Sequence, residues 1–305
     1  MKKQLSSKQK MILAIGGVVL MLVLGIGIMV YPIVSSAYME TVRSGIQTQY
    51  QEQIAESNQE QLDEVREAAV LYNKQLSAGE LFVLEPEKNG YFEQMLVPGM
   101  TKVMAYIHIP RIHIDLPVYH GVGNDALSSG CGHMPQSSLP VGGESTHAVI
   151  SAHTGLANSA MFSDLTLLKE GDVFQIDVLG ETLTYEIQSS DDIRTVLPGE
   201  VQAVQIKNGQ DLCTLVTCTP IGVNTHRLLV TGHRIPTPTE ESNAQLPEAE
   251  VGADNMKSPW KQEYLNSVKI GIAIMTVIPM TAVMAAFFYM RKKGKYERKR
   301  GGDNM

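Results

Sequence analysis

Residues 211–235 read DLCTLVTCTPIGVNTHRLLVTGHRI, and this stretch indicates two short strands joined by a turn. Residues 211–218 and 227–235 are short runs rich in apolar and β-branched side chains, which is typical of strands. Pro220 cannot donate to a strand ladder, and Gly222 suits a turn. The stretch therefore predicts a strand, a turn and a returning strand.

Similar segments recur upstream of this hairpin. They predict further strands at 102–109, 112–119, 146–152, 172–178, 181–188 and 191–197. A short helix is predicted near 159–168. Eight short strands with little helix between residues 102 and 236 favour a mainly β fold, a closed or nearly closed β-barrel.

The segments that flank the barrel domain at 102–236 differ from it in composition. Residues 38–79 carry apolar side chains at helical spacing and predict one or two amphipathic helices. Residues 80–101 contain prolines and glycines and predict a long loop, so that 38–101 forms a helical extension with a lid-like loop. Residues 237–266 are polar and acidic, which indicates a tether.

Two uncharged apolar segments, 12–34 and 270–290, are long enough to cross a membrane as helices. Basic residues lie before the first segment, within 1–11, and after the second, within 291–305. By the positive-inside rule, we expect a two-pass protein of the cell membrane with both termini cytoplasmic and the barrel domain at 102–236 extracellular. A cleaved signal peptide is the alternative for the first segment, but its apolar run is longer than such peptides usually have.

The charge of the chain is distributed unevenly. The formal net charge is −7, whereas residues 35–267 contain 13 Lys and Arg against 30 Asp and Glu, a net of −17. This acidic surface makes nucleic acid an unsuitable partner, and the basic tail suits anionic lipid headgroups. The sequence contains no metal-binding motif and no phosphate-binding glycine loop, so no cofactor is expected.

Three cysteines are too few for a disulfide framework, and an odd number leaves at least one free thiol. Cys131 and Cys213 are expected to be small buried side chains, the usual fate of a free cysteine. Cys218 is different because it ends a predicted strand, where a side chain can reach a surface cleft. A thiol in such a place can be a nucleophile if a base and an anion stabiliser lie beside it.

Candidate partners of Cys218 come from the same strand pattern. Arg227 lies nine residues downstream, so a strand, a turn and a return would bring its guanidinium beside the thiol. His153 ends a predicted strand and could transfer protons there. His233 also lies near a strand end, and position alone does not choose between the two histidines.

Two blocks of the sequence resemble the sortase family. The first runs from Tyr119-His120-Gly121 through Leu139-Pro140-Val141-Gly142-Gly143 to Thr146-His147-Ala148-Val149-Ile150-Ser151-Ala152-His153. The second is Thr214-Leu215-Val216-Thr217-Cys218-Thr219-Pro220 with Asn224-Thr225-His226-Arg227-Leu228-Leu229-Val230. The resemblance covers about 38–236 and is closest to class C, the pilus-assembling cysteine transpeptidases of Gram-positive bacteria.

The resemblance implies a sortase-type eight-stranded β-barrel with Cys218 as nucleophile, His153 as general acid/base and Arg227 as the oxyanion or substrate-orienting residue. It implies cleavage of an LPxTG-like sorting signal after threonine, a thioester, and transfer to a lysine amine of another pilin subunit. The expected partners are therefore pilin subunits that bear such signals and an acceptor lysine.

Two positions depart from the class C pattern. Glu85-Pro86-Glu87 replaces the Asp-Pro-aromatic motif of the lid, so either Tyr91 or Phe92 supplies the aromatic anchor or the site is open. Thr154 follows the histidine where many members have arginine. The alternatives to pilus assembly are attachment of surface proteins to a peptidoglycan precursor, a cysteine protease with water as acceptor, and a non-enzymatic membrane-tethered adhesion or sensor module.

Overall fold

A computed structural model describes residues 7–81, 85–95, 102–156, 159–238, 266–274, 276–277, 281 and 284. Within these residues nine strands form one sheet. The strands are β1 (Val103–Ile109), β2 (Ile114–His120), β3 (Cys131–His133), β4 (Thr146–Ser151), β5 (Val173–Val178), β6 (Glu181–Glu186), β7 (Ile193–Val196), β8 (Asp211–Thr219) and β9 (His226–Ile235). The helices are α1 (Ser7–Glu56), α2 (Gln59–Ser77) and α3 (Asn124–Ser129).

Eight of the nine strands that the structure describes close into a barrel. Their order is β6-β5-β1-β2-β3-β4-β8-β9, and β9 returns to β6 through pairs such as Tyr185 with Arg234. The predicted eight-stranded β-barrel is therefore confirmed, although one of its members is wrong. β7 pairs with β9 from outside the ring, and β3, which was not predicted, completes it.

The helix predicted near 159–168 does not form. Residues 161–164 make turns and only Leu165–Leu167 forms a single 3-10 turn. Met161 has a φ of 42°, a left-handed conformation that no residue inside an α-helix adopts. The apolar residues that suggested a helix, such as Phe162 and Leu165, are buried in the barrel core instead. Tertiary burial thus overrides the local periodicity.

The helical extension consists of two helices, as the spacing of its apolar residues predicts. Asn58 begins α2 by accepting a hydrogen bond from the amide of Glu60. One face of α2 packs into the main core, and Asn73 fixes it there by exchanging two hydrogen bonds with the backbone of Leu139, at 3.0 and 2.7 Å. On α1, Tyr50 packs against Tyr106 of β1.

The predicted lid-like loop is more ordered than its prolines and glycines suggest. Pro86–Asn89 and Tyr91–Glu93 are 3-10 helices, while 82–84 and 96–101 lie outside the described residues. The buried hydroxyl of Tyr91 donates to Nδ1 of His133 at 2.9 Å and accepts from the amide of Gly121 at 3.1 Å. Among the described residues, these hydrogen bonds tie Tyr91 to the ends of β2 and β3.

A histidine with two carboxylate partners links three neighbouring strands. His108 of β1 contacts Asp115 of β2 through Nδ1 and Asp177 of β5 through Nε2, the latter at 2.8 Å. Burial alone would lower the pKa of His108, but the two carboxylates override it and raise the pKa to about 9. The imidazolium therefore holds β2 and β5 to β1 at neutral pH.

The chain divides into two compact units, Met1–Ser36 with Lys261–Met305, and Ala37–Trp260. Among the described residues, no helix combines the length and the apolar character that a membrane span requires. The membrane segments predicted at 12–34 and 270–290 are therefore not confirmed and stay predictions, and much of 270–290 lies outside the described residues. The same holds for the predicted tether, of which 239–265 is not described.

Candidate active site

Cys218 lies near the carboxyl end of β8, on the outer face of the barrel wall. Its strand alternates, so Thr214, Val216 and Cys218 face outward while Cys213 and Leu215 enter the core. Cys218 is partly exposed, whereas Cys131 and Cys213 are buried, as predicted. Burial raises the pKa of both of those thiols, which keeps them protonated and unreactive.

Arg227 lies directly opposite Cys218 in the antiparallel pairing of β8 with β9. Residues paired in this way project to the same face, with Cβ atoms about 4.5–5.5 Å apart. Nη1 of Arg227 donates to the carbonyl oxygens of Asn224 at 3.2 Å and His226 at 3.0 Å. Among the described residues both hydrogen bonds use Nη1, which leaves the donors on Nε and Nη2 for a ligand.

His153 approaches Cys218 from the other side of β8. β4 runs parallel to β8 with Ser151 paired to Val216, and continuing this register by two residues brings His153 level with Cys218. The pairing does continue past the end of β4, because the amide of Ala152 donates to Val216 O at 3.1 Å. The hydroxyl of Thr217 also donates to Ala152 O, at 2.8 Å.

The loop after His153 touches the turn after Cys218. A Cβ built on Gly155 would lie 2.6 Å from Cγ2 of Ile221, so the Ile221 side chain packs directly against the backbone of Gly155 and leaves no room for a further side chain. Gly155 has a φ of 69°, a left-handed conformation that glycine adopts without strain. The contact shows that the segments carrying His153 and Cys218 converge beyond the ends of their strands.

His233, the other histidine that position allowed, lies at the far end of the same strands. It pairs with Leu212, six residues from Cys218, which is roughly 20 Å along a strand. Its Nε2 contacts Oδ1 of Asp192 at 3.2 Å. The strand register therefore places Arg227 opposite Cys218 and His153 level with it, and it places His233 at the other end of the strands.

An apolar wall extends from Cys218 along the outer face of the barrel. Val149, Val216 and Leu229 form a buried cluster on this face. Side chains of β7 and of the segment that follows it pack against the cluster, namely Val196, Ala203 and Val204. The segment between β7 and β8 thus covers the outer face of β4, β8 and β9 next to the thiol.

His147 holds that covering segment, a role that the sequence did not predict. Its Nδ1 donates to the carbonyl of Gln205 at 2.9 Å, and its Nε2 accepts from the hydroxyl of Thr214 at 2.7 Å. Thr231 shares a hydrogen bond with Thr214 at 2.8 Å. Burial lowers the pKa of His147 and so favours this neutral form. Its place on the outward face of the predicted strand 146–152 is the signal that could have identified it.

Comparisons with known proteins identify the class to which this chain belongs. Its features are a β-barrel, two N-terminal helices and a part-exposed cysteine beside an arginine. The family description "Sortase domain" matches residues 107–235. The chain is similar to sortase C1 from Streptococcus agalactiae, with 42% identity, a TM-score of 0.57, and 62% of this chain and 97% of that chain covered. The chain belongs to the sortase family.

Other similar proteins indicate which class of sortase the chain resembles. Sortase C from Streptococcus pneumoniae is 37% identical with a TM-score of 0.55, and the match covers 63% of this chain and 98% of that one. The structural neighbours are thus class C sortases. Sortase A of Streptococcus agalactiae serotype III (strain NEM316) is 35% identical over 120 residues, 38% of this chain. The chain spans about half the length of that curated relative, 47%.

Proposed function

We propose that this protein is a membrane-anchored cysteine transpeptidase that polymerises pilin subunits. It cleaves an LPxTG-like sorting signal and joins the new carboxyl end to a lysine amine of another subunit. The observation that carries the proposal is the register of β8, which sets Cys218 opposite Arg227 on one side and level with His153 on the other.

In the first half of the reaction, the thiol of Cys218 gives its proton to His153, and the sulfur attacks the threonine carbonyl of the sorting signal. The carbonyl oxygen becomes an oxyanion, and Arg227 donates hydrogen bonds to it from its unused N–H groups. His153 gives a proton to the leaving amine as the peptide bond breaks. The product is a thioester that retains the acyl group on Cys218.

In the second half, the lysine amine of the next subunit attacks the thioester carbonyl. His153 takes a proton from this amine, the C–S bond breaks, and the sulfur of Cys218 leaves. An amide bond replaces the thioester, and His153 passes the proton to the sulfur of Cys218, which restores the starting state.

Two further observations support this proposal. The structure of the similar sortase C of Streptococcus pneumoniae is described as informative on catalysis and pilin substrate specificity. A non-enzymatic adhesion or sensor module would predict a buried Cys218 remote from its candidate partners, whereas Cys218 is part-exposed and opposite Arg227.

The proposed location is the cell membrane. The uncharged segments 12–34 and 270–290 would anchor the chain, with both termini cytoplasmic and the barrel outside the cell. A sorting signal and an acceptor subunit that are themselves held at the membrane would then meet Cys218 at a raised effective concentration.

The test is a product assay with the full chain and an LPxTG-like peptide. Mass spectrometry should find an acyl adduct on Cys218, which a lysine-bearing pilin domain then converts into an amide-linked product. Cys218→Ala should give neither species, while Cys213→Ala, on the same strand but facing the core, should give both. No adduct with the wild type would overturn the proposal.

The choice of acceptor separates the remaining alternatives. A reaction that uses only the amine of a peptidoglycan stem peptide would indicate cell-wall anchoring and refute pilus polymerisation. Release of the hydrolysed peptide, unchanged by any added amine, would indicate a protease. The proposal expects the lysine-bearing pilin domain to be the best acceptor.

A further inference from the structure

One arginine of the N-terminal helix reaches two remote parts of the barrel. Arg43 of α1 donates from Nε to the carbonyl of Ser129 at 3.2 Å and from Nη1 to Oγ of Ser159 at 2.8 Å. Its Nη2 donates to Sδ of Met161 at 3.5 Å. These partners lie 86 to 118 residues away in sequence, and all three contacts are part-buried. A forked guanidinium therefore bridges α1 to the segment at 159–161.

That segment closes the loop that begins at His153. The amide of Phe162 donates to the carbonyl of His153 at 3.0 Å, and the amide of Gly155 donates to Oγ of Ser163 at 2.8 Å. Phe162 follows Met161 directly. Arg43 therefore contacts the residue next to the one that is hydrogen-bonded to the backbone of His153. The position of the imidazole thus depends on where 159–163 lies.

Contacts from outside the segment 159–163 must stabilise it, because its backbone adopts an unfavourable conformation. Met161 has a φ of 42°, which side-chain sterics disfavour for residues other than glycine. Only 2% of Met161 is exposed, and Ser159 is also buried. Packing and the Arg43 contacts, rather than local preference, therefore maintain this conformation.

We infer that Arg43 is a positioning residue that couples the N-terminal helix to the His153 loop. The inference rests on the proposed function for its catalytic consequence, but the coupling itself is structural. α1 is the helix whose first part is predicted to be a membrane anchor, so a displacement of α1 near Arg43 reaches the proton-transfer group. A residue of α1, which lies outside the barrel, then helps to fix the position of His153.

The test compares Arg43→Gln and Arg43→Lys with a matched control, Arg66→Gln. Arg66 of α2 also bridges a helix to the barrel, donating to Leu179 O at 2.8 Å and pairing with Glu181, but it does so at the turn between β5 and β6. Hydrogen exchange of the full chain reports the loop, and steady-state transpeptidation separates kcat from KM.

We expect Arg43→Gln to speed amide exchange across 153–163 and to lower kcat at least about tenfold with little change in KM, because a displaced catalytic group costs rate. Arg43→Lys should fall between it and the wild type, since lysine keeps the charge but not the fork. Arg66→Gln should leave both loop exchange and kcat at wild-type values.

The inference is overturned if Arg43→Gln leaves exchange at 153–163 unchanged, or if Arg66→Gln loosens that loop equally. If Arg43→Gln does not fold, the exchange of Arg43→Lys decides the question in the same way. A wild type without transpeptidase activity would refute the proposed function alone, because the exchange result does not depend on catalysis.

Discussion

The contact between Gly155 and Ile221 can be used to test whether the segments that follow His153 and Cys218 touch. The test is to substitute Gly155. Gly155→Ala introduces two separate costs. The left-handed backbone of residue 155, with a φ of 69°, costs a residue with a Cβ about 1–2 kcal/mol. The new Cβ would also lie 2.6 Å from Cγ2 of Ile221, which forces one segment to move.

The second cost is at the lower end of the range for overpacking, about 1 kcal/mol, because Ile221 is 47% exposed and can turn outward. The total loss should therefore be about 2–3 kcal/mol, which lowers the midpoint of thermal unfolding by roughly 4–12 °C for a domain of this size. Because the displaced segments carry His153 and Cys218, kcat should fall at least about tenfold.

A matched control and a double mutant separate the two costs. Gly171 has a similar φ of 84°, and a Cβ there would meet no heavy atom within 4 Å. Gly171→Ala should therefore show the backbone cost alone and keep wild-type kcat. In Gly155→Ala/Ile221→Ala the contact is absent, so the double mutant should be about 1 kcal/mol more stable than the sum of the single mutants predicts.

Two results would refute the reasoning. Strict additivity of Gly155→Ala and Ile221→Ala in thermal unfolding would show that the two segments do not touch. A wild-type kcat in Gly155→Ala, together with the expected loss of stability, would show that the site tolerates their separation.

Three more variants test other contacts. Arg227→Lys keeps the charge but loses the forked donors, so kcat should fall about 10²-fold or more at unchanged stability; wild-type turnover would exclude an oxyanion role. His108→Gln removes an imidazolium whose pKa is about 9, so its loss of stability in urea should be full below about pH 6.5, the ordinary pKa of histidine, and should vanish as the pH rises through 9. An equal loss at pH 6 and pH 10 would contradict that sign. Tyr91→Phe leaves buried polar groups without a partner and should cost about 1–3 kcal/mol in thermal unfolding. The alkylation rate of Cys218 should not change; faster alkylation in Tyr91→Phe would show that this residue does control access.

The barrel could be predicted because seven of its eight strands are runs of six or more residues separated by turn signals, and some, such as β6, alternate cleanly. β3 could not, because Cys131–His133 is only three residues long and contains no alternation to detect. β7 was expected inside the ring, since a strand pattern does not state which partner the strand pairs with. The closing pairs between β6 and β9 depend on tilt and stagger, which arise only when the whole sheet has formed.

The candidate site was also only partly predictable from the sequence. The nine-residue step from Cys218 to Arg227 is local, so the hairpin pairing followed from the sequence. The preference for His153 over His233 came from family resemblance, and the strand register now supplies an independent physical reason. The contacts of Arg43 bridge more than 80 residues and had no local signal.

The topology of three adjacent strands explains why these residues meet. Parallel neighbours end at the same edge of a sheet, so the residue after β4 and the last residues of β8 lie together. An antiparallel neighbour begins at that edge, so the start of β9 joins them.

Within β8 the choice of position is also constrained. Thr217 faces inward and donates a hydrogen bond to Ala152 O, while Val216 faces outward but is buried as part of the apolar wall. Cys218 is the outward position of β8 that lies beyond this wall, level with His153 and Arg227, so a shift of one residue in either direction would remove the thiol from both partners.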